Sequence, residues 1–479
     1  MYLGLDLGTT GLKAVLLDGA QAVAGSASAE LGVARPRDGW SEQDPADWIA
    51  ATEAVLAELG SEHDLGAVRG IGLSGHMHGA TLLDGDGAPL RPCILWNDTR
   101  SHAEAAELDA DPDFRVISGN IVFPGFTAPK LVWVARHEPE NFAKISKVLL
   151  PKDYLRLWLT GEAVSEMSDA AGTSWLDTGA RDWSEVLIGK TGLSLGAMPR
   201  LVEGSEVSGG LRADLAERFG MKPGTPVAGG AGDNAASAIG MGVTEPGQAF
   251  VSLGTSGVLF AATEAYRPDP ATAVHTFCHA LPGVWHQMGV ILAATDALNW
   301  YARLVGRKPS ELTGELGALA APERAVFLPY LGGERTPLND AGIRGAFLGL
   351  EHVTDRAAGT RAVLEGVAFA LRDCRDALAA TGTKIARMTA VGGGSASDYW
   401  LAAIATALDC PVDVPASGEL GAAFGAARLG MMAAERGGAE LAPPPEIART
   451  VEPVAALSAA FDAGAARFRA ARDTMGGLT

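Results

Sequence analysis

Cysteine is scarce in this chain: four in 479 residues, Cys93, Cys278, Cys374 and Cys410, with no C-x-x-C pair among them. That scarcity excludes a disulfide framework and a zinc ribbon and points to a reducing compartment. Long apolar runs are missing as well. No uncharged stretch reaches the ~18 residues of a membrane span, and no basic segment precedes an apolar one at the start, so neither a span nor a secretory signal is expected. Positive charge is in deficit, with 38 Lys and Arg against 57 Asp and Glu and a net charge of −19. Such a surface repels phosphate backbones and anionic lipid, so nucleic acid and membranes are not expected as partners. Low-complexity tracts are lacking too. These absences leave a soluble, globular, cytoplasmic protein.

What is present is a length too great for one ordinary core, which predicts two domains of roughly 200–250 residues each. The chain opens MYLGLDLGTTGLKAVLLD, and QAFVSLGTSGVLFAATE at 248–264 repeats its grammar: an apolar run, a Gly-Thr-rich turn, a second apolar run. Each reads as a hairpin that opens a domain. The turn-forming residues MGVTEPG at 241–247 mark the linker, so the expected domains are 1–243 and 244–479. A second recurring unit is a strand ending in glycines and running into an Ala-rich helix, at 226–242 (PVAGGAGDNAASAIGMG) and 389–408 (TAVGGGSASDYWLAAIATAL), with a third such turn at Gly418. Glycine turns at helix N-termini offer backbone N–H groups to anions.

Two carboxylates stand out. Asp6 ends a run of Leu3, Leu5 and Leu7, where a charge is costly unless it meets a donor, a metal or a partner. Asp233 stands where glycines hand over to a helix, either as a helix cap or as a side chain presented to a ligand. Residue type alone leaves both readings open. The formal G-x-G-x-x-G at 70–75 lacks a following helix and is read as a strand that delivers His76, Met77 and His78 to a loop. His76 with His78, and His275 with His279, lack further ligands nearby, so a substrate loop or plain packing is favoured over metal binding. Two Gly-Thr turns, one per domain, would clasp a polyphosphate, with a carboxylate needed on one side only.

Taken together, these residues resemble the FGGY family of carbohydrate kinases. The resemblance runs through LGLDLGTTGLKAVLLD, WSEQDP (40–45), SGHMHGATLLD (74–84), LWNDTR (95–100), GFTAPKLVWVARHEPE (125–140), LLPKDYLRLWLTGE (149–162) and SDAAGTSWLD (168–177). It continues in AGDNAASAIGMG, SLGTSG, FLPYLGGERTP (327–337), residues 344–373 and VGGGSASDYW, and thins after about residue 430. Within the family, the Met77-His78 loop and the two runs at 149–177 are similar to the pentulose-kinase branch; His76 departs from it, at a place where that branch typically has Gln.

The resemblance implies an α/β fold of two actin-like (RNase H-like) domains with the active site in the cleft between them, closing over the sugar. It implies an enzyme that uses ATP and Mg2+ to phosphorylate a small-molecule pentulose, D-xylulose ahead of ribulose or another ketose or polyol. A homodimer is implied at family level. By the same resemblance Asp233 is the general base and Asp6 lies near magnesium and the phosphates, while Met77, His78, Asp233 and Asn234 surround the sugar. Thr9, Thr10, Lys13, Gly254, Thr255 and Ser256 would attend the phosphates, and Gly393 and Gly394 the adenosine side. A nucleotide-switched binding protein of the actin or heat-shock type is the alternative from another class; it would need a peptide-binding domain or a polymerising surface.

Overall fold

A computed structural model of the chain describes residues 1–416 and 420–475. The turn expected at Gly418 lies outside the described residues. The described chain forms two compact units, which change over at Thr244–Glu245.

The first unit opens with the expected hairpin. Strands β1 (Tyr2–Leu7) and β2 (Gly11–Leu17) pair antiparallel, and β3 (Val23–Glu30) continues the meander. Tyr2, Leu3, Leu5 and Leu7 of β1 are all buried, so the strand is central to its sheet and reads as a nearly continuous apolar run. Helix α1 (Pro45–Glu62) begins at Asp44, whose side chain accepts the Ala46 N–H, with Pro45 in the first turn. It buries Trp48, Val55, Leu56 and Leu59. Strand β4 (Gly70–Gly75) returns parallel to β1. Helix α2 (Pro151–Thr160) follows, then β5 (Pro226–Ala228) and the short β6 (Ala231–Gly232), both parallel to β4, and helix α3 (Asp233–Gly240). The strand order is β3-β2-β1-β4-β5.

The second unit repeats this plan. Strands β7 (Gln248–Leu253) and β8 (Gly257–Thr263) form the second hairpin, with Ser252 near the end of β7 where the first copy has Asp6. After β9 (Trp285–Ile291), helix α4 (Thr295–Val305) and the long helix α5 (Arg356–Ala380), β10 (Arg387–Val391) pairs parallel to β7. Helix α6 (Asp398–Leu408) leads into β11 (Val412–Pro415), parallel to β10. The order β9-β8-β7-β10-β11 matches that of the first unit position for position. Two α/β units with one strand order bear out the expected pair of actin-like domains. No described helix is long and apolar enough to cross a membrane.

Two segments beyond the cut at 243/244 cluster with the first unit. Helix α7 (Ala422–Glu435) and the chain through Pro444 belong to the first unit, as does Phe277–Trp285. The reason is steric. A Cβ on Gly72 would lie 1.7 Å from the Ala426 carbonyl oxygen, and one on Gly4 would lie 2.0 Å from that of Ala423. Gly70 and Gly72 of the formal G-x-G-x-x-G therefore let β4 touch helix backbone, a close approach that needs no nucleotide to explain it. We expect Gly72→Ala to destabilise the protein by about 3 kcal/mol through overpacking, read as a drop in Tm of several degrees. An unchanged melting curve would show that α7 can shift away freely.

Candidate active site

The carboxyl ends of β1, β4 and β6 collect the candidate residues of the first unit. In register, Asp6 stands opposite Ser74 on β4 and opposite Lys13 on β2, while Ala231 also pairs with Ser74. Asp233 follows two residues later, at the first helical position of α3. Such strand ends are where α/β sheets hold their ligands.

Asp6 is half-buried, and its Oδ1 is buried without a hydrogen-bond partner. Burial and then the neighbouring Asp233 charge push its pKa up to about 6; the Ser74 hydroxyl and the Lys13 ammonium act the other way. Among the described residues no group of three His, Cys, Asp or Glu could cage a metal ion. A mostly hydrated Mg2+ does not need one, because it is held through one or two carboxylates. The partnerless Oδ1 of Asp6 fits that demand.

Asp233 does not cap α3; that position is Gly232. Its Oδ1 accepts the Asn234 N–H at 2.7 Å and the Asn234 side-chain amide at 3.0 Å, which ties the two sugar-side candidates together. Burial raises its pKa, and these two bonds oppose the rise. The result is a carboxylate of raised basicity held in one orientation.

Met77 packs at Gly232, the residue before Asp233, and His78 at Gly172. A Cβ on Gly232 would lie 2.9 Å from the Met77 Sδ, and one on Gly172 would lie 2.5 Å from the His78 Cε1. The thioether and the imidazole therefore occupy space that two glycines vacate. His78 has φ +71°, an unusual conformation for a non-glycine residue. It is held there by Lys130 Nζ and Thr127 Oγ1, which donate to its carbonyl at 2.8 and 3.2 Å. Its ring stacks on Phe126 with centroids 4.5 Å apart, and its Nδ1 lies 2.6 Å from the Gly172 carbonyl. A carbonyl only accepts, so Nδ1 carries a proton and donates it to Gly172. His76 turns elsewhere: it is 4% exposed, edge-on to Trp48, and burial lowers its pKa to about 3, so it stays neutral.

The β1–β2 turn is braced from outside. Thr9 accepts from Gln43 Nε2 at its carbonyl and from Trp96 Nε1 at its hydroxyl, while Thr10 is exposed at the tip.

In the second unit the Gly254-Thr255-Ser256 turn docks on the start of α4. The Gly254 carbonyl accepts from Thr295 N and Oγ1, and the Thr255 carbonyl from Ala294 N, leaving the Thr255 side chain exposed. Gly393 and Gly394 line a cavity of about 720 Å³ with Thr295, Asn299, Ser310 and Tyr399. Nothing would crowd a Cβ at Gly393, whereas one at Gly394 would meet Leu253 and Trp400. Tyr399 Oη donates to Glu365 and Trp400 Nε1 to the Leu364 carbonyl, so α5 fixes that wall. The cavity is large enough for a nucleoside.

Ser74, Trp96, Lys130 and the cavity residues between 295 and 317 were not singled out from sequence. Lys130 had a signal, a lone cation inside the apolar run GFTAPKLVW; the cavity residues had none, because their elements meet only in the fold.

Comparison with known proteins follows the same division. The model of the FGGY N-terminal domain matches residues 1–240, and that of the C-terminal domain matches residues 249–434. The xylulose kinase of Escherichia coli (strain K12) is 48% identical over 474 residues, 98% of each chain. Among solved structures, a xyloylose kinase from Brucella ovis is 63% identical with a TM-score of 0.99 over 100% of both chains. A xylulose kinase from Rhodospirillum rubrum is 32% identical with a TM-score of 0.92, covering 100% of this chain and 99% of its own. With both halves matched and relatives aligned end to end, the chain belongs to the FGGY family of carbohydrate kinases.

Proposed function

We propose that the chain transfers the γ-phosphoryl group of ATP to O5 of D-xylulose, giving D-xylulose 5-phosphate and ADP in pentose catabolism. The observation that carries this reading is the Asp233 carboxylate, raised in basicity and set beside the Met77–His78 loop. The full-length relatives named as xylulose kinases support the choice of sugar.

A sugar hydroxyl is a poor nucleophile at neutral pH. Asp233 accepts its proton as the O5–phosphorus bond forms and the bond from the γ-phosphorus to the bridging oxygen of ADP breaks. Asn234 holds Asp233 Oδ1, while the Met77 thioether and the His78 ring shape the sugar's seat. Asp6 is the residue that would hold Mg2+, with Lys13 opposite it. Bound there, the ion would offset the charge that gathers on the phosphates. The backbone of the Gly254–Ser256 turn and the side chains of Thr9 and Thr10 serve the phosphates, and the cavity beside Gly393 and Gly394 takes the adenosine.

Coupled ADP release should be measured across D-xylulose, L-xylulose, D-ribulose, L-ribulose and glycerol. D-xylulose should give the highest kcat/KM, by about tenfold or more over each competitor, since hydroxyl recognition through buried polar groups discriminates strongly. A preference for ribulose or glycerol would move the enzyme to another branch of the family.

A further inference from the structure

Behind the sugar loop lies a group of ionisable side chains with no role in the chemistry so far. Lys152, Asp153, Arg156, Glu166 and Asp169 are all fully buried, together with Ser168. Lys152 Nζ lies 2.8 Å from Asp153, 2.9 Å from Asp169 and 3.3 Å from Glu166. Arg156 meets Asp153 at 2.6 Å. Buried charges are expensive, and apolar residues of like volume commonly stabilise a core as well or better, so stability alone is a weak account of them.

Besides bonds to the neighbouring strand, where Arg156 Nη1 donates to the Val164 carbonyl and Ser165 Oγ to Asp153 Oδ2, both at 2.6 Å, two bonds leave this network for the segment that launches Asp233. Arg156 Nη2 donates to the Gly229 carbonyl. Ser168 Oγ accepts the Gly232 N–H at 3.1 Å while donating to Glu166 Oε1 at 3.0 Å. Glu166 Oε2 in turn accepts the Ser168 N–H at 2.7 Å, which fixes the backbone that carries the hydroxyl. Gly230, between the two clamped residues, sits at φ +75°. A glycine-rich turn has no side chains of its own to hold it in place. The network does so from behind, gripping the turn at Gly229 and at Gly232, the residue before Asp233. The same backbone reaches Gly172, whose carbonyl meets His78 Nδ1.

We infer that Ser168 and Arg156 are positioning residues for Asp233, and that the buried charges exist to hold them rigid. This rests on the reading of Asp233 as general base. Neither residue touches the reacting atoms; each acts through the backbone of the Gly229–Gly232 turn.

Ser168→Ala removes one clamp and leaves every ion pair intact. Steady-state assays and thermal melts on the full chain should show kcat for D-xylulose down about 30-fold, as expected for a base displaced by a fraction of an ångström to an ångström. KM should stay within about twofold and Tm within a few degrees. Ser168→Cys keeps the volume and a weak hydrogen-bonding partner, and should recover part of the lost kcat; it carries the test if the alanine variant does not fold. A near-normal kcat in the folded variant, or a rise in KM with kcat unchanged, would overturn the inference. Asp233→Asn, assayed alongside, separates the two failures. If it is inactive while Ser168→Ala is fully active, the positioning role is wrong and the base assignment stands; if Asp233→Asn is itself active, the base assignment is wrong.

Discussion

Asp233→Asn should lower kcat by about 100-fold or more while the protein melts normally and still binds D-xylulose. The substitution keeps the shape of the side chain, and the capping position of α3 belongs to Gly232, so helix stability has little reason to change. What it removes is the proton acceptor. The bonds from Asn234 end on Asp233 Oδ1, an oxygen that an amide also supplies, so Asn234 keeps its partner. A thermal melt, a sugar titration and a steady-state assay on one preparation check all three statements. Activity near wild type in a normally melting variant would leave Asp233 as a structural residue.

Asp6→Asn should separate activity from stability in the opposite direction. Its pKa in the fold is about 6 against an ordinary 3.8, because burial and the Asp233 charge favour the protonated form. A carboxyl whose folded pKa is raised contributes stability that is fully present below 3.8 and lost as pH rises through about 6. Above pH 7 the wild type therefore carries an unfavourable charge. Replacing it with a neutral amide should stabilise the metal-free protein at pH 8 by on the order of 2 kcal/mol, and by little at pH 3.5. Magnesium-dependent turnover should fall by about 100-fold and need more Mg2+ to saturate, with sugar binding nearly intact, since the carboxylate that would hold the ion is gone. Melts with and without a chelator, together with a magnesium titration of rate, check both halves. Lost sugar affinity with normal magnesium dependence would instead make Asp6 part of the sugar site.

These two carboxylates were legible in the sequence because their signal is local. Asp6 interrupts a buried run, and Asp233 follows four residues of glycine and alanine at a strand's end. The two hairpins were legible for the same reason, since turn chemistry and flanking apolar runs lie within a few residues of each other. Helix α7 was not. Its place against Gly4, Gly70 and Gly72 depends on backbone meeting across some 350–420 positions of chain, and a stripe of small residues does not say what it packs against. The single cut at 243/244 missed that return for this reason. The buried network was half visible: Lys152, Asp153 and Arg156 stand together in one helix and partner each other, but the further partners of Lys152 lie at Glu166 and Asp169 beyond a turn. The capping reading of Asp233 stayed open until the structure showed Gly232 in that position, because a boundary cannot be fixed to one residue from composition.

The central claim is a direct phosphoryl transfer to one hydroxyl of one sugar, and its most direct test is the product. ATP, Mg2+ and D-xylulose should be incubated with the purified protein, ADP quantified, and the phosphate ester located by coupled phosphorus and carbon NMR. The account predicts one mole of D-xylulose 5-phosphate for each mole of ADP, with negligible ADP when the sugar is left out. ADP released without a sugar phosphate, or an ester on any hydroxyl other than that at C5, would contradict it.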